Sequence, residues 1–146
     1  MIEINNLTKG YPLGRVDKKL FSTVAKRVLK GENRVTETIS LAFVGKEEMR
    51  KLNKKFRKKN KATDVLSFDL NEPFGVAQDK GSLGEIVICP EVVKENAQKY
   101  GVPEKKEMLK VFIHGILHLC GYDHEKSKAE EKIMGEKETK YLKLKI

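Results

Sequence analysis

The stretch HGILHLCGYDH, residues 114 to 124, holds all three histidines of a 146-residue chain: His114, His118 and His124. Side chains four residues apart share one face of a helix. His114 and His118 can therefore bind one metal ion, at about 2.0–2.1 Å from each ring nitrogen. Gly121 comes three residues later, where a glycine past a helix end takes the left-handed backbone that stops the helix. Tyr122 and Asp123 then turn the chain, and His124 can come back to the same ion. Three neutral imidazoles leave a fourth tetrahedral position open, the plan of a catalytic zinc site rather than a structural one. Zinc acidifies the water it holds to near neutral pH, which provides a nucleophile or base without a carboxylate. The plain alternative is three unrelated histidines in buried hydrogen bonds. The spacing and the glycine stop favour a ligand set.

The pattern resembles the metzincin protease motif H-E-x-x-H-x-x-G-x-x-H. Gly115 stands where the protease keeps its glutamate base, so a peptidase would lack its proton acceptor. A glycine there is also expected to leave room beside the metal for a bulky group. Asp123 and Glu125 flank the third histidine, and Asp123 is a candidate for orienting a ligand. Cys120 sits two residues past His118, near the opposite helix face, and is a poor ligand. With Cys89 it reads as one of two small, reduced, apolar side chains.

A second feature is RKLNKKFRKKNK, residues 50 to 61, with Arg50, Lys51, Lys54, Lys55, Arg57, Lys58, Lys59 and Lys61 and no acid. It reads either as a solvated face or as a phosphate track. In the second case the lysines give salt-sensitive affinity and an arginine grips one phosphate bidentately. Phe56 and Tyr122 could stack on bases, but Phe56 fits the inner face of its helix. Together, the basic run and an open zinc site suggest phosphodiester chemistry on nucleic acid, with an arginine against the transition-state charge.

The elements that must position these residues are legible in the hydrophobic pattern. Residues 2–6 form a short first strand. Residues 15–30 form an amphipathic helix stopped by Gly31. Residues 36–45 read as a strand covered on both faces, hence central. A helix follows over 46–58 and a strand over 63–70. A Gly-rich loop spans residues 71–84, and a fourth strand 85–90. Pro90 and Pro103 open the next two helices. The one carrying His114 is apolar around most of its circumference, so it is expected at the centre. Ser127 and Glu130 mark a capping box before a final helix to about Leu142. The expected fold is α+β: a single domain, residues 1–146, with a small mixed four-stranded sheet and about five helices.

Hydrophobic residues are 39% and charged residues 35% of the chain, and the net charge is +9. No apolar run approaches the length of a membrane span, and the basic balance favours anionic partners, nucleic acid first and a membrane surface second. No signal-peptide pattern opens the chain, so a cytoplasmic protein is expected.

The chain resembles the YbeY family of bacterial endoribonucleases. HGILHLCGYDH is similar to that family's HG-x-LHL-x-GYDH. LNKKFRKKNKATDVLSF (52–68) and SLGEIVIC (82–89) are similar to two further blocks. The resemblance implies one zinc ion on His114, His118 and His124, and Arg57 as the functional arginine. It implies single-strand-specific RNA cleavage, 16S ribosomal RNA 3′-end maturation and ribosome quality control. Where the family usually has Gly-Asp-Ile or Gly-Asp-Leu, this chain has Gly84-Glu85-Ile86. Glu85 is thus a secondary catalytic candidate beside Arg57 and His114, or else an edge-strand polar residue. Two other readings remain open: a metal-dependent peptidase-like hydrolase, and a non-catalytic RNA-binding ribosome assembly factor with a structural metal.

Overall fold

A computed structural model describes residues 2–8, 15–69, 82–123 and 127–143. The order is β1 (Ile2–Asn6), α1 (Arg15–Gly31), β2 (Thr38–Phe43), α2 (Lys46–Arg57), β3 (Val65–Phe68), β4 (Ser82–Ile88), α3 (Pro90–Tyr100), α4 (Glu104–Leu119) and α5 (Lys128–Leu142). The strands form one sheet in the order β1-β2-β4-β3. β1/β2 and β2/β4 are parallel, and β3/β4 is antiparallel. This is the α+β fold with a mixed four-stranded sheet that the sequence predicts. His124 and residues 71–81 of the expected loop lie outside the described residues. No helix among the described residues is long and apolar enough to cross a membrane.

Strand alternation sorts the core into two layers. Ile39, Leu41 and Phe43 of β2 and Ile86 and Ile88 of β4 face one side, with Phe21, Val24 and Val28 of α1 and Phe112, Ile113 and Ile116 of α4. Val87, Leu66 and Phe68 face the other side with Met49 and Leu52 of α2. Phe56 packs against that second cluster, its ring 5.1 Å from Phe68, so it is core rather than a base platform. α4 carries apolar residues all round because it is wedged between α1, α3, α5 and the sheet.

β4 starts three residues earlier than the pattern predicts. Its opening Ser-Leu-Gly looks like loop, yet Gly84 is inside the strand with φ +147°. A Cβ there would lie 2.4 Å from the Phe68 carbonyl oxygen. Glycine is needed for the close approach of β3, not for a turn.

Gly115 also differs from expectation. A Cβ at that position would meet Ile86 Cγ2 at 3.0 Å and Ser67 Oγ at 3.2 Å. It faces the sheet, one residue round the helix from His114, so it leaves no room beside a metal. Its absent side chain lets α4 lie against β3 and β4, where Ser67 Oγ donates to the Gly115 carbonyl (3.2 Å). Gly115→Ala is expected to destabilise the fold by about 1 kcal/mol net, read as a lower Tm. Overpacking costs about 1–3 kcal/mol, and the gain in helix propensity returns at most about 1 kcal/mol. Ile86 is fully buried in an inner strand and cannot yield.

Candidate functional site

A groove of about 1450 Å³ runs along β3, an edge strand among the described residues, and the outward face of α4. Arg57, Ser67, Asp69, His114, His118 and Glu138 are among the residues that line it. A smaller hollow of about 280 Å³ between α1 and α4 holds none of them.

The helical spacing places the two histidines as expected. Their Nε2 atoms are 3.1 Å apart, with ring centroids at 4.6 Å. Two nitrogens bound to one tetrahedral zinc ion at about 2.0–2.1 Å would be roughly 3.3 Å apart. The pair is therefore already near the separation that a shared ion requires. On its other side, His114 Nδ1 contacts a Glu138 carboxylate oxygen on α5. An ionised carboxylate only accepts, so Nδ1 must carry the proton. With that proton on Nδ1, Nε2 is the nitrogen left to face the groove. Metal-binding histidines are oriented in this way by a carboxylate behind them. The Glu138→Gln variant should weaken zinc binding about 10- to 100-fold, measured by competition with a chromophoric chelator.

α4 stops where the glycine predicts. Gly121 has φ +103° and its amide donates to the His118 carbonyl (3.0 Å), while the Tyr122 amide donates to Leu117 (3.1 Å). Among the described residues nothing would clash with a Cβ at Gly121, so the left-handed backbone is what requires glycine there. Among the described residues no group of three metal-binding side chains comes together, and His124 is not among them.

The turn that leads toward His124 is tied down from two sides. The Ser127 Oγ caps α5 by accepting from the Glu130 amide (3.1 Å). The Glu130 carboxylate accepts from the Asp123 amide (3.4 Å) rather than completing the box within its own helix. Tyr122 donates to Glu32 (2.7 Å), which also accepts from Lys137 Nζ (3.0 Å) and the Tyr141 hydroxyl. The Glu32 side chain is only 6% exposed. Burial pushes its carboxyl upward, but the donors Tyr141, Tyr122 and Lys137 outweigh that and hold it below its ordinary value. Gly31 makes space for this cluster, since a Cβ there would lie 2.2 Å from the Tyr141 oxygen.

A carboxyl lowered in the folded state stabilises above its unfolded pKa, and that stability is lost as pH falls through the folded pKa. The Tm should therefore drop below the ordinary carboxyl value of 4.5, and Glu32→Gln should flatten that acid limb. At the other end, burial and Glu32 push the Tyr141 phenol up to about 12. Its unfolded form ionises first, so stability also falls as pH rises from about 10 toward 12.

Arg57, at the end of α2, reaches round the sheet edge. Its Nη2 donates to the Ser67 carbonyl (2.7 Å) and its Nη1 to the Phe56 carbonyl (3.2 Å). The guanidinium carbon sits 5.1 Å from the Phe68 ring centroid. The sheet edge thus brings Arg57 from one layer and the histidines from the other to a single groove. Of the basic run, Lys59 and Lys61 also line that groove. Lys51, Lys54, Lys55 and Lys58 are exposed outside it, and Arg50 is engaged by Glu47 and Asn60. Tyr122 lines the groove, but its hydroxyl is committed to Glu32.

Glu85 is not on an edge strand. It is 3% exposed in β4, an inner strand, opposite Ser40 and Phe68, and it does not line the groove. The parallel β2/β4 pairing puts it there, and no local pattern encodes that pairing. Cys120 is half-buried, and burial pushes its thiol up to about 11, so it stays protonated at neutral pH. Sequence reasoning missed Glu138 and Glu32. Each is one charged residue among many, and only helix packing brings it to the site.

The sequence profile of the Endoribonuclease YbeY family matches residues 3–145. Endoribonuclease YbeY of Bdellovibrio bacteriovorus is 48% identical over 105 residues, 72% of this chain and 65% of that protein. The Thermotoga maritima protein of the same name is 42% identical over 71% of this chain and 65% of its own length. These two alignments thus span just under two thirds of the relatives. The Thermotoga neapolitana relative is 37% identical over 97% of this chain and 87% of its length. A solution structure from Thermotoga maritima superposes with a TM-score of 0.66 at 35% identity, covering 97% of this chain and 87% of that one. With the profile matched along nearly its whole length, this chain belongs to the Endoribonuclease YbeY family.

Proposed function

We propose that the chain is a zinc-dependent endoribonuclease that cuts single-stranded RNA, and that it acts in the cytoplasm in 16S ribosomal RNA 3′-end maturation and ribosome quality control. One observation carries the reading: two imidazole Nε2 atoms 3.1 Å apart face a groove that also holds Arg57. The relatives' shared name, Endoribonuclease YbeY, supports the choice of RNA.

His114 and His118 are the described residues that would hold the ion, and His124 is the third ligand in this reading. A zinc ion there supplies Lewis-acid polarisation of a phosphoryl oxygen and an acidified water. The protein's own groups do the rest. Glu138 keeps the proton on His114 Nδ1 and the lone pair on Nε2. Lys59 and Lys61 neutralise phosphates along the groove. Arg57, its plane held by the Ser67 and Phe56 carbonyls, stabilises the charge that grows on the phosphoryl oxygens. The peptidase reading fares worse, because a glutamate at position 115 would point into Ile86 and the sheet rather than the groove.

The test is cleavage of a labelled single strand by chelator-stripped protein, with and without one equivalent of zinc. Zinc should restore cutting, and a duplex of the same sequence should survive. Tight binding with no cutting under any metal would replace this reading with the assembly-factor one.

A further inference from the structure

Two turns before His114, the groove wall holds a carboxylate that the proposed cleavage does not use. Glu107 is 5% exposed and lines the groove. It takes no hydrogen bond or ion pair from any described residue. Its oxygens are not among the fully enclosed unpaired atoms, where only Ser82 Oγ is found among the described residues, so they stay open to the groove. These oxygens are thus available to donors that enter the groove, on a side chain whose stem is held in the groove wall. Seven residues separate Glu107 from His114, which is about 10.5 Å along the helix on nearly the same face.

The surroundings of Glu107 suit a nucleobase. Tyr100, at the end of α3, is 59% exposed and lines the same groove, as do Asn96 and Lys110. An exposed ring is a stacking platform for a base. A carboxylate repels phosphate and can only accept N–H or O–H donors. Among the four bases, guanine alone offers two adjacent donors, N1–H and the N2 amino group, which match two carboxylate oxygens. Asn96 and Lys110, on the same groove, would offer an amide donor for guanine O6 and a charge for the attached phosphate. Single strands are read on such Watson–Crick edges, with stacking supplying affinity.

We propose that Glu107, Tyr100, Asn96 and Lys110 form a subsite that selects a guanine beside the cleaved position. The inference rests on the single-stranded RNA reading above, and it gives that site a base preference.

The test is titration of the ¹⁵N-labelled protein with GMP, IMP, AMP, CMP and UMP. These probes have no internucleotide bond, so the result does not depend on cleavage. GMP should bind at least fivefold more tightly than AMP, CMP or UMP, the lower bound for a bidentate base contact. IMP, without the N2 amino group, should fall between. Amide shifts should centre on residues 96–111. The near-isosteric Glu107→Gln should erase the preference. Tyr100→Ala, at an exposed position, should weaken all five nucleotides alike. Equal affinities, no binding, or shifts confined to Lys59 and Lys61 would overturn the subsite. A protein that selects GMP yet never cuts RNA would keep the subsite and sink the nuclease.

Discussion

His114→Ala should lose zinc and RNA cleavage together. The affinity loss should exceed the 10- to 100-fold typical of losing only an orienting partner, because a direct ligand is removed. The same change removes the partner of Glu138, whose contact with Nδ1 orients the ring. His118 alone would remain of the described pair. Zinc content by mass spectrometry, Tm and the cleavage rate should be read on one preparation. His114 is part-buried in α4, yet its ring faces the groove rather than the core. The Tm without metal should therefore shift little. A variant that cleaves as fast as wild type, free of contaminating nuclease, would refute the metallonuclease reading.

Arg57→Lys should slow cleavage by about 10²- to 10³-fold, the typical cost of removing one preorganised donor from a developing charge. Charge is kept, so the loss comes from geometry. A lysine ammonium cannot span the Ser67 and Phe56 carbonyls while facing the groove, nor stack flat near the Phe68 ring. Zinc content should be unchanged, since Arg57 is held by the backbone oxygens of Ser67 and Phe56 and a cation does not ligate zinc. Loss of zinc with loss of rate would instead make Arg57 a structural pin between α2 and β3. RNA affinity should fall less than the rate, since Lys59 and Lys61 remain in the groove.

The two residues differ in what encodes them. The histidine pair is local: four residues on a helix fix a shared face, and Gly121 fixes the stop. The helices and strands were equally local, since amphipathic periods, two prolines and a capping serine set their bounds within a few residues. Only the family-like block around Arg57 marks it. Nothing in its neighbourhood says that the end of α2 would reach the groove beside α4 at all.

The sequence by itself therefore determined the element order, the mixed four-stranded sheet, the buried α4 and a two-histidine face that ends in a left-handed glycine. The element bounds and the histidine face depend on interactions within a few residues along the chain, while the sheet and the buried helix follow from apolar patterns that call for cover. Only the tertiary structure decided that β3 is at the edge and β4 inside, which buries Glu85 and opens a groove beside Arg57. It alone brought Glu138 behind His114 across 24 residues and Glu32 beneath Tyr122 across 90. It also turned Gly115 from an expected gap at the metal into the contact that seats α4 on the sheet. Such pairings depend on which surfaces pack together once apolar area is buried. Packing is non-directional along the chain, so it leaves no periodic trace in the residues that it brings together.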